Sequence, residues 1–158
     1  MKRPMQIVLF SLLGMTLADA QQANTDSQNA DRHSEMPMDS RLLVELPKPV
    51  QAMIRHEMRQ HLASLQGIIT ALADQRLDDA ARIARQQLGS ASMGRHRASG
   101  GGPGRHLPAA MRGIGMSMHA AADALAEAAD AGDNIEALQQ LGQITAACSA
   151  CHSSYRIR

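Results

Sequence analysis

The chain ends in "TAACSACHSSYRIR", residues 145–158, and sets its only two cysteines, Cys148 and Cys151, just ahead of His152. Three chemistries use such residues. A disulfide between the two thiols suits an oxidising compartment, but within a helix it closes a very small loop, gains little entropically and leaves His152 without a role. A zinc site wants four ligands; there is no second cysteine pair, so a distant His or Asp would have to complete it. The third reading uses every residue: in Cys-x-x-Cys-His the thiols add to the vinyl groups of haem and the imidazole coordinates the iron. One helical turn sets Cys148 and Cys151 on one face with His152 beside them.

The other end of the chain bears on the compartment. Residues 1–20, "MKRPMQIVLFSLLGMTLADA", have a basic start at Lys2 and Arg3, an apolar run from Ile7 to Leu17 and a small-residue site at Ala18-Asp19-Ala20. That pattern is a secretory signal peptide. The run is about eleven residues, against the roughly twenty that span a membrane, so no membrane insertion is expected and the exported chain should begin near Gln21. Export fits haem attachment, which bacteria carry out beyond the cytoplasmic membrane. Cleavage leaves fourteen basic and fourteen acidic residues, and a chain without basic excess gives no reason to expect nucleic acid or an anionic membrane as partner.

About 138 residues then remain, the length of one domain. They contain no Trp, no Phe, one Tyr (Tyr155) and eight Met, with many Ala and Leu. These are helix formers, and the β-branched and aromatic runs of a sheet protein are missing. Aromatic side chains normally supply much buried area, so a bound organic group could supply the missing bulk.

The elements that must position Cys148, Cys151 and His152 follow from periodicity. Residues 21–46 begin polar and are expected to form a flexible tail. Pro47 and Pro49 open a first helix to Ala73, with Ile54, Met58, Leu62, Leu65, Ile69 and Leu72 inward, His61 at the edge of that face, and His56 and Arg59 in solvent. A second helix runs from Leu77 to Leu88 with Leu77, Ala80, Ala81, Ala84 and Leu88 inward. Residues 89–106, with "GGGPG" at 100–104, form a loop carrying Arg95, His96, Arg97, Arg105 and His106. Pro108 opens a third helix with Met111, Ile114, Met118, Ala122 and Leu125 inward and His119 at its boundary. Asp133 caps a fourth, from Asn134 to Tyr155, with Ile135, Leu138, Leu141, Ile144, Cys148, Cys151, His152 and Tyr155 inward. The expectation is an all-α, antiparallel four-helix bundle over residues 47–158, closed by a haem-attachment helix.

The stretch "AADAGDNIEALQQLGQITAACSACHSSYR", residues 128–156, resembles the last third of the cytochromes c′ and their low-spin relatives, bacterial periplasmic c-type cytochromes whose fourth helix carries Cys-x-x-Cys-His-x-x-Tyr-Arg near the C-terminus. The resemblance implies one covalent haem c on Cys148 and Cys151, His152 as the proximal iron ligand, and Arg156 near the exposed side. It implies that the first helix covers the distal face, where Met58 is the best match for a ligand. His61, one turn on, is the second choice. It further implies a periplasmic one-electron carrier, not an enzyme, with a redox protein as partner and a homodimer formed through the first two helices. A vacant or apolar distal face would instead admit NO or CO, giving a gas-binding or NO-protection protein. A third reading is a haem-free copper or zinc binder on the same bundle, using helical histidines and the tail residues His33, Met36 and Met38, whose imidazole and thioether groups suit copper.

Overall fold

Four helices account for most of residues 38–93 and 102–158, which are those described in the computed structural model. Helix α1 (Lys48–Ala73) starts at Pro47, and a further proline in its first turn costs it no intrahelical hydrogen bond. Helix α2 (Leu77–Ile83) opens on Asp78 and Asp79, carboxylates that complement the positive end of a helix, and continues as a π-turn over Ala84–Leu88. Helix α3 (Ala109–Asp130) follows Pro108. Helix α4 (Asn134–Ser154) is capped by Asp133, whose carboxylate accepts the Glu136 N–H at 2.9 Å.

Two turns of the same construction reverse the chain. After α1, Gln75 N–H donates to the Leu72 carbonyl at 3.1 Å and Arg76 N–H to that of Ala71 at 2.8 Å. After α3, Gly132 N–H donates to Ala129 at 3.0 Å and Asp133 N–H to Ala128 at 2.9 Å. This is the paired-bond termination that needs a left-handed residue just past the helix. Gly132 adopts it at φ 78° at little cost, whereas Gln75 adopts it at φ 58° with a side chain attached.

Such tight turns make α1 and α2, and α3 and α4, antiparallel neighbours, and the fold is the expected four-helix bundle. The most extensive helix contact joins α3 to α4, while α1 lies mainly against α2 and its π-turn. Gly67 permits the close approach, since a Cβ there would stand 3.3 Å from the Ile83 side chain. The main core is built of small residues: Ala71, Ala80, Ala84, Ala122, Ala126 and Ala137 surround the fully buried Ile68, Leu88, Leu125 and Ile144.

The buried faces of α2 and α3 are those expected, with Ala80, Ala81, Ala84 and Leu88 buried on one and Met111, Met118, Ala122 and Leu125 on the other. Two faces differ. In α1, Leu62 and Ile69 are exposed, and the buried line runs through Ile54, Ser64, Ile68, Ala71 and Leu72. Small and polar residues form much of the true seam, so the larger aliphatics drew the predicted face about one position too far. In α4, Ile135 and Leu138 are exposed, and the inward line passes through Ala137, Leu141, Ile144 and Cys148. Here an alanine seats the helix start against the core.

The expected tail, 21–46, is corrected at its end. Leu42–Val44 forms strand β1, paired in parallel with strand β2, Tyr155–Ile157, with Leu43 opposite Arg156. The ladder continues through Arg158 N–H to the Val44 carbonyl at 3.1 Å and Leu46 N–H to the Arg158 carbonyl at 2.9 Å. Val44 and Leu46 are buried with Ile54 and Met111 in a second apolar cluster, and the buried Gln51 side chain donates to the Leu46 carbonyl at 2.8 Å. The apolar run Leu42-Leu43-Val44 buries where a polar tail could not. The fourth helix accordingly gives way to strand at Tyr155. Within the expected loop, Pro103–His106 is a 3₁₀ turn. Residues 1–37 and 94–101, which include the expected leader, His33, Met36, Arg95, His96 and Arg97, lie outside the described residues; Met38 is exposed.

The two turns carry a stability prediction. Gln75→Gly should raise, and Gly132→Ala lower, the free energy of unfolding by about 1 kcal/mol each, read as opposite shifts of the urea midpoint at constant slope. Equal responses would contradict the backbone assignment.

Candidate functional site

The second apolar cluster borders a cavity of about 890 Å³ at the end of the bundle away from the two tight turns. That volume lies within the usual range for an organic ligand site. Its walls come from α1 (Ile54, Met58, His61), α3 (Met111, Gly115, Met116, His119), the 3₁₀ turn (Pro103, Leu107 following it) and the end of α4 with β2 (Cys151, His152, Tyr155, Ile157). Most of these side chains are apolar. A Cβ added at Gly115 would meet no atom within 4 Å, so the wall is open there.

The predicted site residues divide as follows. Cys151, His152, Arg156, Met58 and His61, which come from the two ends of the bundle sequence, all line this cavity. Cys148 does not line it; it stands one turn earlier on α4, half-buried against the main core. His152 is exposed, and its carbonyl accepts from Arg41 Nη1 at 3.4 Å. Arg156 Nε in turn donates to the Arg41 carbonyl at 3.4 Å. The strand pair thus grips the segment immediately after the cysteines.

Neither cysteine forms a disulfide. Burial pushes the Cys148 thiol above its ordinary 9.0. Burial does the same at Cys151, with the neighbouring Cys148 sulfur adding to it. Both also sit towards the negative end of α4, which disfavours a thiolate. Redox-active Cys-x-x-Cys pairs have the opposite environment, at a helix start with lowered pKa. The zinc reading finds little support either: among the described residues no group of three or more His, Cys, Asp or Glu side chains is disposed to hold a metal ion.

His119, placed by the sequence beside the buried stripe of the third helix, faces the cavity. Its Nδ1 is hydrogen-bonded to the Leu88 carbonyl. A carbonyl only accepts, so Nδ1 is the donor of this bond. The His61 ring stands edge-on to it, with centroids 6.0 Å apart. The part played by Arg41 and by the β1 segment was missed from sequence. The run Leu42-Leu43-Val44 after a polar stretch was the available signal. His56 is exposed, as expected, and Arg59 is exposed at the cavity rim.

No helix among the described residues is long and apolar enough to cross a membrane. The family model described as Cytochrome C' matches residues 108–156, that is α3, its turn, α4 and the first two residues of β2, in agreement with the resemblance of residues 128–156. Neither the curated proteins nor the solved structures contain a match to the chain.

The thiol environment predicts a pH response of the polypeptide before any modification of its cysteines. Alkylation by iodoacetamide should be slow at neutral pH and rise with a midpoint above 9.0. A thiol pKa higher in the folded than in the unfolded chain means that stability is complete below the unfolded value and falls as pH rises through the folded one. Urea midpoints should therefore decline in that alkaline window. A reaction midpoint below the ordinary thiol value would contradict the burial of both sulfurs.

Proposed function

We propose that this chain, with the cytochrome c′ signature over α3 and α4, is a periplasmic c-type cytochrome that holds one covalent haem and carries single electrons. The observation that carries the reading is the convergence of Cys151 and His152 with Met58 and His61 on one mainly apolar cavity of about 890 Å³. The donor set suits the group: two neutral thiols for thioether bonds, an imidazole beside them, and apolar walls for a porphyrin. A leader at residues 1–20 and the usual location of the family support export to the periplasm.

A bound haem supplies the one-electron iron couple. In this chain Cys148 and Cys151 would fasten it to α4 and His152 would bind the metal from one side. The bond between Arg41 and the His152 carbonyl, together with the strand ladder, limits the freedom of that imidazole's backbone. Side chains of α1 close the opposite wall. A thioether from Met58 would favour the reduced state and so a higher potential, whereas the imidazole of His61 would favour a lower one. Ile54, Leu107 and Met111 line the interior with apolar side chains, which would lower the local dielectric and the solvent reorganisation accompanying a change of charge.

Gas binding is the second reading. Met58 is 38 % exposed rather than locked in the core, and a haem held here without a thioether from Met58 would present an iron site for NO or CO.

Spectroscopy of the exported protein tests both. Cys148→Ser with Cys151→Ser should abolish covalent haem. Met58→Ala should convert a low-spin spectrum to a high-spin one that responds to CO, and should lower the potential, while His61→Ala leaves the spectrum unchanged. A wild-type protein that is already high-spin and binds CO would favour the gas-binding reading.

A further inference from the structure

Six arginines surround the mouth of the cavity: Arg41, Arg55, Arg59, Arg105, Arg112 and Arg156. They come from five places in the chain, ahead of β1, on α1, in the 3₁₀ turn, on α3 and on β2, and all six are exposed. Glu57 is the single carboxylate among the lining residues. The excess is five positive charges, and the two propionates of a haem would leave three.

The other half of the bundle is opposite in sign. Residues 74–79 and 123–136 hold eight carboxylates. The arginines near them are engaged: Arg76 with Asp74 and Asp79, Arg82 with Asp79, and Arg85 with Asp130. That these residues share one end follows from the core that joins Leu72, Ala80, Ala129 and Ala137. A chain whose exported form is formally neutral is thus a dipole along the bundle axis. Net charge cannot steer such a molecule, but its dipole can.

We propose that the arginine rim is the docking face for an acidic redox protein, oriented so that the cavity mouth meets a cluster of carboxylates. This rests on the haem-carrier reading and names its partner class. The rim selects the partner by charge, and the acidic end turns away from it. Exposed arginines also suit a transient complex, because bidentate contacts to carboxylates form without burying a large apolar area.

The test uses the haem-loaded, reduced wild-type protein in stopped flow. Ferricyanide, an anion, and tris(phenanthroline)cobalt(III), a cation, each accept one electron from it. From low to high ionic strength the rate with ferricyanide should fall by about tenfold, and that with the cobalt complex should rise. Arg55→Glu with Arg59→Glu should flatten both dependences, while Arg82→Glu at the other end changes neither. Poly-glutamate, but not poly-lysine, should compete with ferricyanide. Rates independent of salt in a haem-loaded wild type would overturn the docking face and leave the carrier reading standing. Absence of haem would overturn both. Binding to phosphatidylglycerol vesicles that poly-glutamate does not displace would assign the rim to a membrane surface and overturn the proposal.

Discussion

A packing deficit at one end of the bundle governs the rest of the structure. The described helices meet through alanines at the turn end, where Ala80, Ala122, Ala126 and Ala137 let backbones approach closely. At the other end the described residues offer no tryptophan or phenylalanine to fill the space, and a cavity of about 890 Å³ remains between α1, α3 and the end of α4. Protein interiors are normally packed to crystal-like density. A mainly apolar space of this size, walled in part by Met58, Met111 and Met116 and opening beside Cys151 and His152, is within the range of an organic ligand site.

The strand pair gives that end its rigidity. A helix that finished freely at Ser154 would fray in its last turn, where carbonyls lack partners. Here the chain leaves α4 directly into a ladder with Leu42–Val44, Val44 and Leu46 bury beside Ile54 and Met111, and Arg41 reaches back to the His152 carbonyl. Segments from the two ends of the described fold therefore hold the same few residues. The proposed iron ligand, His152, lies between the two cysteines on one side and this clasp on the other.

Much of this was legible in the sequence, for identifiable reasons. Pro47, Pro108 and Asp133 marked helix starts by mechanisms local to the chain, and the α2 and α3 faces followed from alanine and methionine spacing. The cysteine-histidine spacing pointed to a chemistry because one helical turn fixes the relative placement of the three groups. The α1 face was misjudged because Leu62 and Ile69, large and apolar, lie in solvent while Ser64 and Ala71 form the seam; size was a poor guide where the packing distance is short. The strand at Leu42–Val44 escaped because its partner lies more than a hundred residues away, and three residues show no period. Of the arginine rim only Arg105 and Arg156 stood out in the sequence, since its members are scattered along the chain and only the fold assembles them.

The central claim is that Cys148 and Cys151 fasten a porphyrin to α4. The intact mass of the protein exported by a host competent in cytochrome maturation tests it most directly. The account predicts a chain beginning near Gln21 and heavier than its polypeptide by one haem, the increment surviving denaturation. A colourless protein with the mass of the bare polypeptide, made by the same host, would contradict it.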